Sequence, residues 1–277
     1  MAVSRRTALK AFAATAIGTV TGGAAYGFFY GREALQLIRV DVPMSGLPPE
    51  LSGLRIGLIT DVHRSRWVTA DDVVAAVALM MSARPDLIVL GGDYVTWGDR
   101  RFVGPVAEAL SGLSAPHGVF AILGNHDDDH DMPAALMKER VQVLRDARTR
   151  LTLNGAGLEL AGIRFWTKRQ TDIAAVLKAA KDPVILLAHD PRRLVEAAAL
   201  NVPLVVSGHT HGGQVVLPAV GAIAARKFPV VAGLARRERT TMFVSRGLGT
   251  VYVPIRLNCP PEVVLMTLRS ENLPRLV

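Results

Sequence analysis

The sequence predicts an α/β fold of two packed, mixed β-sheets with helices outside them, a four-layer α/β/β/α sandwich. Three observations carry this. Strands and helices alternate through the first half of the chain, and each strand ends abruptly in glycine or a polar residue. Residues 87–90, Leu-Ile-Val-Leu, form a short run without polar alternation, as expected of a strand covered on both faces. Strands then outnumber helices late in the chain, which calls for a second sheet.

In order, residues 35–40 read as a first strand, with a proline-rich connection at 43–49. Residues 54–59 form a second strand that runs straight into Asp61. A helix is predicted over 71–82, with Thr69 as N-cap, Asp71 and Asp72 in its first turn and Pro85 beyond its end. The strand at 87–90 leads to Asp93. Residues 102–110 read as helix, and the strand at 118–123 delivers Asn125 and His126. A helix from Pro133 to about Arg145 follows. Strand-like runs come next at 151–153, 158–160 and 163–166, around Asn154-Gly155 and Ala161-Gly162 turns. Residues 171–180 are helical, 184–187 deliver His189, 204–206 deliver His209 and His211, and 215–217 return. Residues 242–245 and 263–266 are two further strands. No repeat, low-complexity segment or linker interrupts 33–277, which reads as one catalytic domain.

The 277 residues are half hydrophobic and one-fifth charged, which excludes a disordered chain. The net charge of +8 is unevenly spread. Arg5, Arg6, Lys10 and Arg32 precede the first acid, Glu33, leaving 28 basic against 24 acidic residues, a surplus of +4. That suits a modestly basic domain near an anionic surface or substrate. Basic pairs such as Arg192-Arg193 and Arg236-Arg237 read as solvated faces, and without an aromatic-interleaved basic stripe nucleic acid is not expected as a partner. A single cysteine, Cys259, excludes an intramolecular disulfide and reads as a small buried hydrophobe.

Residues 1–32 are expected to be a signal or an anchor. Ser4-Arg5-Arg6-Thr7-Ala8-Leu9-Lys10 precedes 21 residues, 11–31, without a charge. The pattern resembles a twin-arginine leader, with Ala8 in place of the usual phenylalanine, and implies the twin-arginine export machinery as a partner. The stretch is rich in Ala, Gly and Thr, so it is a weak membrane span, though long enough to cross about 30 Å of hydrocarbon as a helix. No clean Ala-x-Ala site ends it. An uncleaved leader would tie the protein to the membrane, and the expected location is extracytoplasmic, in the periplasm or cell envelope.

Five of the seven histidines fall at the ends of such strands. The candidate ligands are Asp61, His63, Asp93, Asn125, His189, His209 and His211. Seven mixed oxygen and nitrogen ligands without a thiolate exceed the needs of one tetrahedral zinc. They suit two divalent transition-metal ions, Mn, Fe, Zn or Co, with the Asp93 carboxylate as the natural bridge. Two ions about 3.5–4 Å apart clamp the attacking and leaving oxygens of a phosphoryl displacement and lower the pKa of a bridging water.

The set Asp61-x-His63, Gly92-Asp93, Gly124-Asn125-His126-Asp127, His189 and Gly208-His209-x-His211, spanning about residues 55–214, resembles the calcineurin-like metallophosphoesterase superfamily. The resemblance implies a two-sheet sandwich flanked by helices. It also implies that Asp61, His63 and His211 bind one ion, that Asn125, His189 and His209 bind the other, and that Asp93 bridges them. His126 would face the substrate phosphate and assist the leaving group, with Asp127 orienting its imidazole. The leader, the run 209–214 and the tail 245–262 resemble a bacterial branch of exported or membrane-associated phosphodiesterases, some acting on lipid-linked pyrophosphates. The expected substrate is a phosphorylated small molecule or lipid-linked compound carrying a phosphodiester or pyrophosphate bond. A phosphomonoesterase and a non-enzymatic metal-binding scaffold are the rival readings.

Other residues are placed more loosely. Arg64 and Arg66 follow His63 beside the candidate metals, where a guanidinium could pair bidentately with phosphate; Arg64 is the candidate substrate-binding residue. Arg246 and Arg256, among glycines, are candidates of the same kind. Trp67 and Trp97, each a few residues after a metal motif, could line the substrate pocket, with burial against the sheet the expected role. The acidic run around His130 is expected to cap the helix that follows, and His117 reads as a turn residue.

Overall fold

Alternation within the apolar strands builds the layers. In a computed structural model, which describes residues 5–271, β2 (Arg55–Ile59) sends Ile56 and Leu58 into one core and Ile59 into another. In β3 (Leu87–Leu90), Leu87 and Val89 face the first core, Ile88 and Leu90 the second. β8 (Val184–Leu187) and β9 (Leu204–Ser207) do the same on the other side: Ile185, Leu187, Leu204 and Val206 join the shared core, while Leu186 and Val205 face a third. A run without polar residues is thus two patterns of period two, one for each covered face.

The shared core lies between two six-stranded sheets. The first has the order β1 (Gln36–Ser45), β12 (Glu262–Glu271), β2, β3, β4 (Val119–Ala121) and β5 (Gln142–Val143). The second has the order β10 (Gly233–Arg237), β11 (Thr240–Val244), β9, β8, β7 (Ala156–Gly162) and β6 (Ala147–Leu153). Helices α2 (Ala70–Ser82), α3 (Val103–Leu110) and α4 (Asp131–Lys138) cover the first sheet, with Val77, Met80, Val106 and Leu136 in its outer core. α5 (Gln170–Leu177) and α6 (Leu194–Ala199) cover the second through Ile173, Leu194 and Ala197. This is the four-layer sandwich expected. β2, β3 and β4 run parallel, as do β7, β8, β9 and β11, so each sheet gathers several strand ends along one edge.

The Thr69 cap is present as a capping box with Asp72, whose carboxylate accepts the Thr69 N–H at 2.7 Å. Four expectations are corrected. The helix placed from Pro133 to Arg145 stops at Lys138, because Arg140 takes φ 62° and the Val141 and Arg140 N–H groups close back on Leu136 and Met137 carbonyls. That Schellman closure ends the helix without the usual glycine, and the following Gln142–Val143 joins the sheet as β5. β1 runs on through Pro43 to Ser45 where a connection was expected; as an edge strand it tolerates the missing donor. Residues 163–166 leave the sheet after Gly162, and Val215 and Leu217 make only isolated bridges.

The amino-terminal segment forms α1 (Arg5–Tyr26) and a π-helical turn, Gly27–Gly31. Ser4 of the expected export signal lies outside the described residues. Among those described, no helix is long and apolar enough to cross a membrane, so the expected span is not met by α1. Gly27 and Gly31 in the π-helical turn are buried, close to Ile255 and Arg256.

Candidate metal centre

Loops leaving the carboxyl ends of five parallel strands converge on one point, where open α/β sheets place their ligands. β2 supplies Asp61 and His63, β3 Asp93, β4 Asn125 and His126, β8 His189, and β9 His209 and His211. The candidate ligand atoms of Asp61, His63 and His211 lie within 4.8 Å of one another, as do those of Asp93, His189 and His209. A third such group is His63, Asp93 and His126. Asp93 joins them: its Oδ2 lies 3.0 Å from His189 Nε2 and 3.5 Å from His63 Nε2. All seven residues expected as ligands, and His126, border this space; Asn125 and His209 also line the cavity above it.

The backbone is contorted to achieve this. Asp61, His63, Asp93, His209 and His211 all have positive φ, between 48° and 71°. Such conformations cost non-glycine residues of order 1–3 kcal/mol each and persist only where the surroundings enforce them. Here the loops enforce one another. Asp61 N–H donates to Gly92 O at 2.9 Å, and His63 N–H to Asp93 O at 3.0 Å. His209 N–H reaches Asp61 Oδ1 at 2.9 Å. Two glycines permit the approach: a Cβ on Gly124 would stand 2.0 Å from Asp93 Oδ1, and one on Gly208 2.2 Å from Asp61 Oδ2.

The donor chemistry fits divalent cations. His63 Nε2 and His211 Nε2 face each other at 3.1 Å, both rings buried, an arrangement natural for lone pairs aimed at a common positive charge. Asn125 Oδ1 and His211 Nδ1 are buried without hydrogen-bond partners, and His189 Nε2 meets Asp93 without hydrogen-bond alignment. Burial pushes His209 down to about 3 and His211 well below the usual imidazole range, so both stay neutral, as ligands must. Burial also opposes charge on His189, but Asp93 and Asp61 outweigh it and raise this imidazole to about 10. Burial works against the Asp93 carboxylate too, yet His189 and His63 hold it well below the usual range. His189 is aimed by an Nδ1–H bond to Gly91 O at 2.8 Å, and His63 by Thr96 Oγ1 at 3.0 Å.

Several residues take places other than those expected. Asp127 does not orient His126. Its carboxylate accepts the backbone N–H groups of Asp93 (2.7 Å), Tyr94 (2.8 Å) and Gly124 (2.9 Å), sewing the β3 loop to the β4 loop. The partner of His126 Nδ1 is the Trp97 backbone N–H at 3.0 Å. Trp97 is 68% exposed rather than buried, and its ring lies 4.5 Å from that of His126. Arg64 turns away from the centre, donating to Val68 O at 2.7 Å and stacking over Phe102. Trp67 packs on Phe28 of the amino-terminal segment. Arg246 pairs with Glu262, and Arg256 is fully buried among carbonyls. In the acidic run, Asp128 accepts the His130 and Asp131 N–H groups in the turn that enters α4, whose N-cap residue, His130, makes no side-chain capping bond.

A cavity of about 460 Å³ opens over the centre. One side is Asp93, Asn125, His126, His209 and His211; the other is largely apolar, with Leu217, Ile223, Phe228 and Val251 beside Lys227 and Tyr252. Phe165 and Phe228 flank the His209 ring at 5.3 and 5.2 Å. Sequence reasoning missed this wall, because residues 215–228 and 251–253 carry no motif and reach the site only through loop folding.

Residues 54–213 match the family model of the calcineurin-like phosphoesterases. The chain is 31% identical over 287 residues to the metallophosphoesterase YkuE of Bacillus subtilis (strain 168), covering 98% of this chain and 99% of the relative. It is 31% identical over 278 residues to the phosphodiesterase YaeI of Escherichia coli (strain K12), covering 96% and 99%. Among solved structures, the sulfate thiohydrolase SoxB of Thermus thermophilus aligns with a TM-score of 0.50 at 12% identity, over 73% of this chain and 53% of that one, a likeness of fold alone.

Proposed function

The chain belongs to the calcineurin-like phosphoesterase family, and from that premise we propose that it hydrolyses a phosphodiester or pyrophosphate bond with two divalent transition-metal ions. The observation that carries this is the convergence of six of the expected ligands, with His126, in overlapping groups that share His63 and Asp93, while Asn125 lines the cavity beside them. Asp61, His63 and His211 would hold one ion, Asn125, His189 and His209 the other, with Asp93 shared. Bound there, the ions would supply Lewis acidity and an activated water for attack on phosphorus.

The protein's own groups complete the chemistry. Because His126 Nδ1 accepts the Trp97 N–H, the neutral ring carries its proton on Nε2, free to donate to a phosphoryl or departing oxygen. The Trp97 ring lies against His126 on one side and meets Tyr252, ring centroids 5.6 Å apart, on the other. The apolar half of the cavity suits a substrate whose leaving group carries lipid-like surface, and Lys227 offers charge to a second anionic group. The printed name of YaeI, a phosphodiesterase, supports the diester reading. Export through the twin-arginine route to the cell envelope belongs to the same proposal, supported by Arg5-Arg6 ahead of an uncharged stretch.

The test is hydrolysis by metal-loaded and chelator-treated protein of bis-p-nitrophenyl phosphate, p-nitrophenyl phosphate and a lipid pyrophosphate. Metal-dependent turnover of the diester or pyrophosphate is expected. Turnover of the monoester alone would replace the proposal with a phosphomonoesterase, and none at all would leave a metal-binding scaffold.

A further inference from the structure

The last turns of the amino-terminal segment are built into the metal loops. Gly23, Gly27 and Gly31 recur every fourth residue and place the backbone against residues 255–257. A Cβ on Gly31 would stand 2.0 Å from Arg256 O, one on Gly27 2.5 Å from Ile255 Cγ2, and one on Gly23 3.9 Å from Leu257 Cδ2. Gly27 O accepts the Arg256 N–H at 3.1 Å. Phe28 meets Trp67 edge to face at 5.6 Å, and Arg32 Nη1 donates to Trp67 O at 2.8 Å. Trp67 lies four residues beyond His63.

Arg256 carries the contact inward. Its side chain is fully buried, and its guanidinium donates to four carbonyls, Gly249 O at 2.6 Å, Arg246 O at 2.8 Å, and Gly247 O and Cys259 O at 3.1 Å, with Cys259 Sγ 3.9 Å from Nη1. The loop it holds is the one that backs Asp61. Leu248 N–H donates to Thr60 O at 3.0 Å and Gly249 N–H to Asp61 O at 2.7 Å, while Gly249 has no room for a Cβ against Val62 O. A buried arginine depends on every support of its site, and the amino-terminal segment holds the backbone that carries it, through the Gly27 O bond and the close approach of Gly31 to Arg256 O.

We propose that residues 27–32 are a positioning element of the working enzyme, acting through Arg256 and Trp67 on the loop that presents Asp61 and His63, and that they stay on the chain after export. A cut among the small residues Gly23-Ala24-Ala25 would leave this element in place; a cut after Gly31 would open the Arg256 site. The inference rests on the metal-centre reading above.

The test uses the full chain. Gly31→Leu wedges the contact apart, Arg32→Met removes the Trp67 hydrogen bond without a wedge, and Gly18→Leu is the control, since nothing lies within 4 Å of a Cβ there. Calorimetric titration of metal-free protein with Mn²⁺ is expected to show affinity about tenfold weaker in Gly31→Leu, the scale on which lost support of ligands acts. Arg32→Met should weaken it less and Gly18→Leu not at all. Intact mass of the protein recovered from the envelope should include residues 27–32. Equal Mn²⁺ affinity in Gly31→Leu and wild type, or a recovered chain beginning after Arg32 that binds Mn²⁺ as the full chain does, overturns the proposal. If the wild type binds no metal, the metal-centre reading fails instead. The brace is then judged by amide exchange at residues 61–63, where no change in Gly31→Leu overturns it.

Discussion

The backbone N–H of Trp97 donates to His126 Nδ1 at 3.0 Å, so a peptide group, not a carboxylate, sets the imidazole that faces the cavity. The consequence separates two substitutions. His126→Ala removes the proton donor and should lower kcat on a diester by about 10²–10⁴-fold, the usual worth of a placed acid, with metal content unchanged. Trp97→Gly keeps the peptide donor and suits the φ of 55° at this position. It should raise KM through loss of the indole wall, with kcat falling far less than in His126→Ala. Steady-state kinetics with metal analysis of both variants check this.

Gly124 and Gly104 make a matched pair. Alanine at Gly124 puts a methyl into the space of Asp93 Oδ1, 2.0 Å away, while nothing lies within 4 Å of a Cβ at Gly104 in α3. Gly124→Ala should destabilise by about 1–3 kcal/mol, as overpacking does, and reduce bound metal because Asp93 must move. Gly104→Ala should stabilise by about 0.5–1 kcal/mol through backbone entropy. Denaturant unfolding and elemental analysis distinguish the two.

The residues that converge on the centre were legible because each stands at a strand end, and glycine beside it marks where backbones meet. Their supports were not. Asp127 acts upon backbone N–H groups and Trp97 through one, which leaves no pattern in residue identities, and the Thr96 hydroxyl reaches His63 from a different loop. Arg64 looked like a phosphate clamp by adjacency to His63. The loop instead turns its guanidinium onto Val68 O and Phe102, something the sequence does not encode locally. The layered core followed from the apolar runs. β10 did not, because Gly-Leu-Ala-Arg-Arg has little burial to impose alternation at a sheet edge. The helix after His126 was drawn too long because its stop, Arg140 in a left-handed conformation, lacks the glycine that usually signals one.

Asp127 carries a separable structural load. Oδ2 accepts the Asp93 and Gly124 N–H groups, and Oδ1 accepts that of Tyr94. Burial and the nearby Asp93 charge push its pKa up to about 7, against those bonds. Asp127→Asn leaves one oxygen to serve both sides and turns an NH₂ toward a backbone donor. It should cost about 2–4 kcal/mol, one or two stranded donors, and loosen metal binding because the β3 and β4 loops separate. Thermal unfolding of metal-free protein reads the first effect and Mn²⁺ titration the second. An unchanged melting temperature would contradict the clamp.

Far from the centre, Asp86 ties the start of β2 to the entry of β3 and gives an acid-stability signature. It accepts the Arg55 backbone N–H at 2.9 Å and Arg55 Nη2 at 2.8 Å. Partial burial pushes its pKa up, but the Arg55 hydrogen bonds and charge outweigh this and hold it below the ordinary aspartate value. With the folded pKa depressed, the unfolded chain binds more protons, so stability rises with pH across this window. The contribution is complete above the unfolded value, about pH 4, and is lost as pH falls through the folded one. Asp86→Asn removes the titrating group and the charge pair together. It should therefore be less stable than wild type at neutral pH, and the gap should narrow below about pH 4 as the wild-type carboxyl protonates. Urea unfolding of both proteins from pH 7 down to pH 3 measures it; a gap independent of pH would show that Asp86 contributes shape rather than charge.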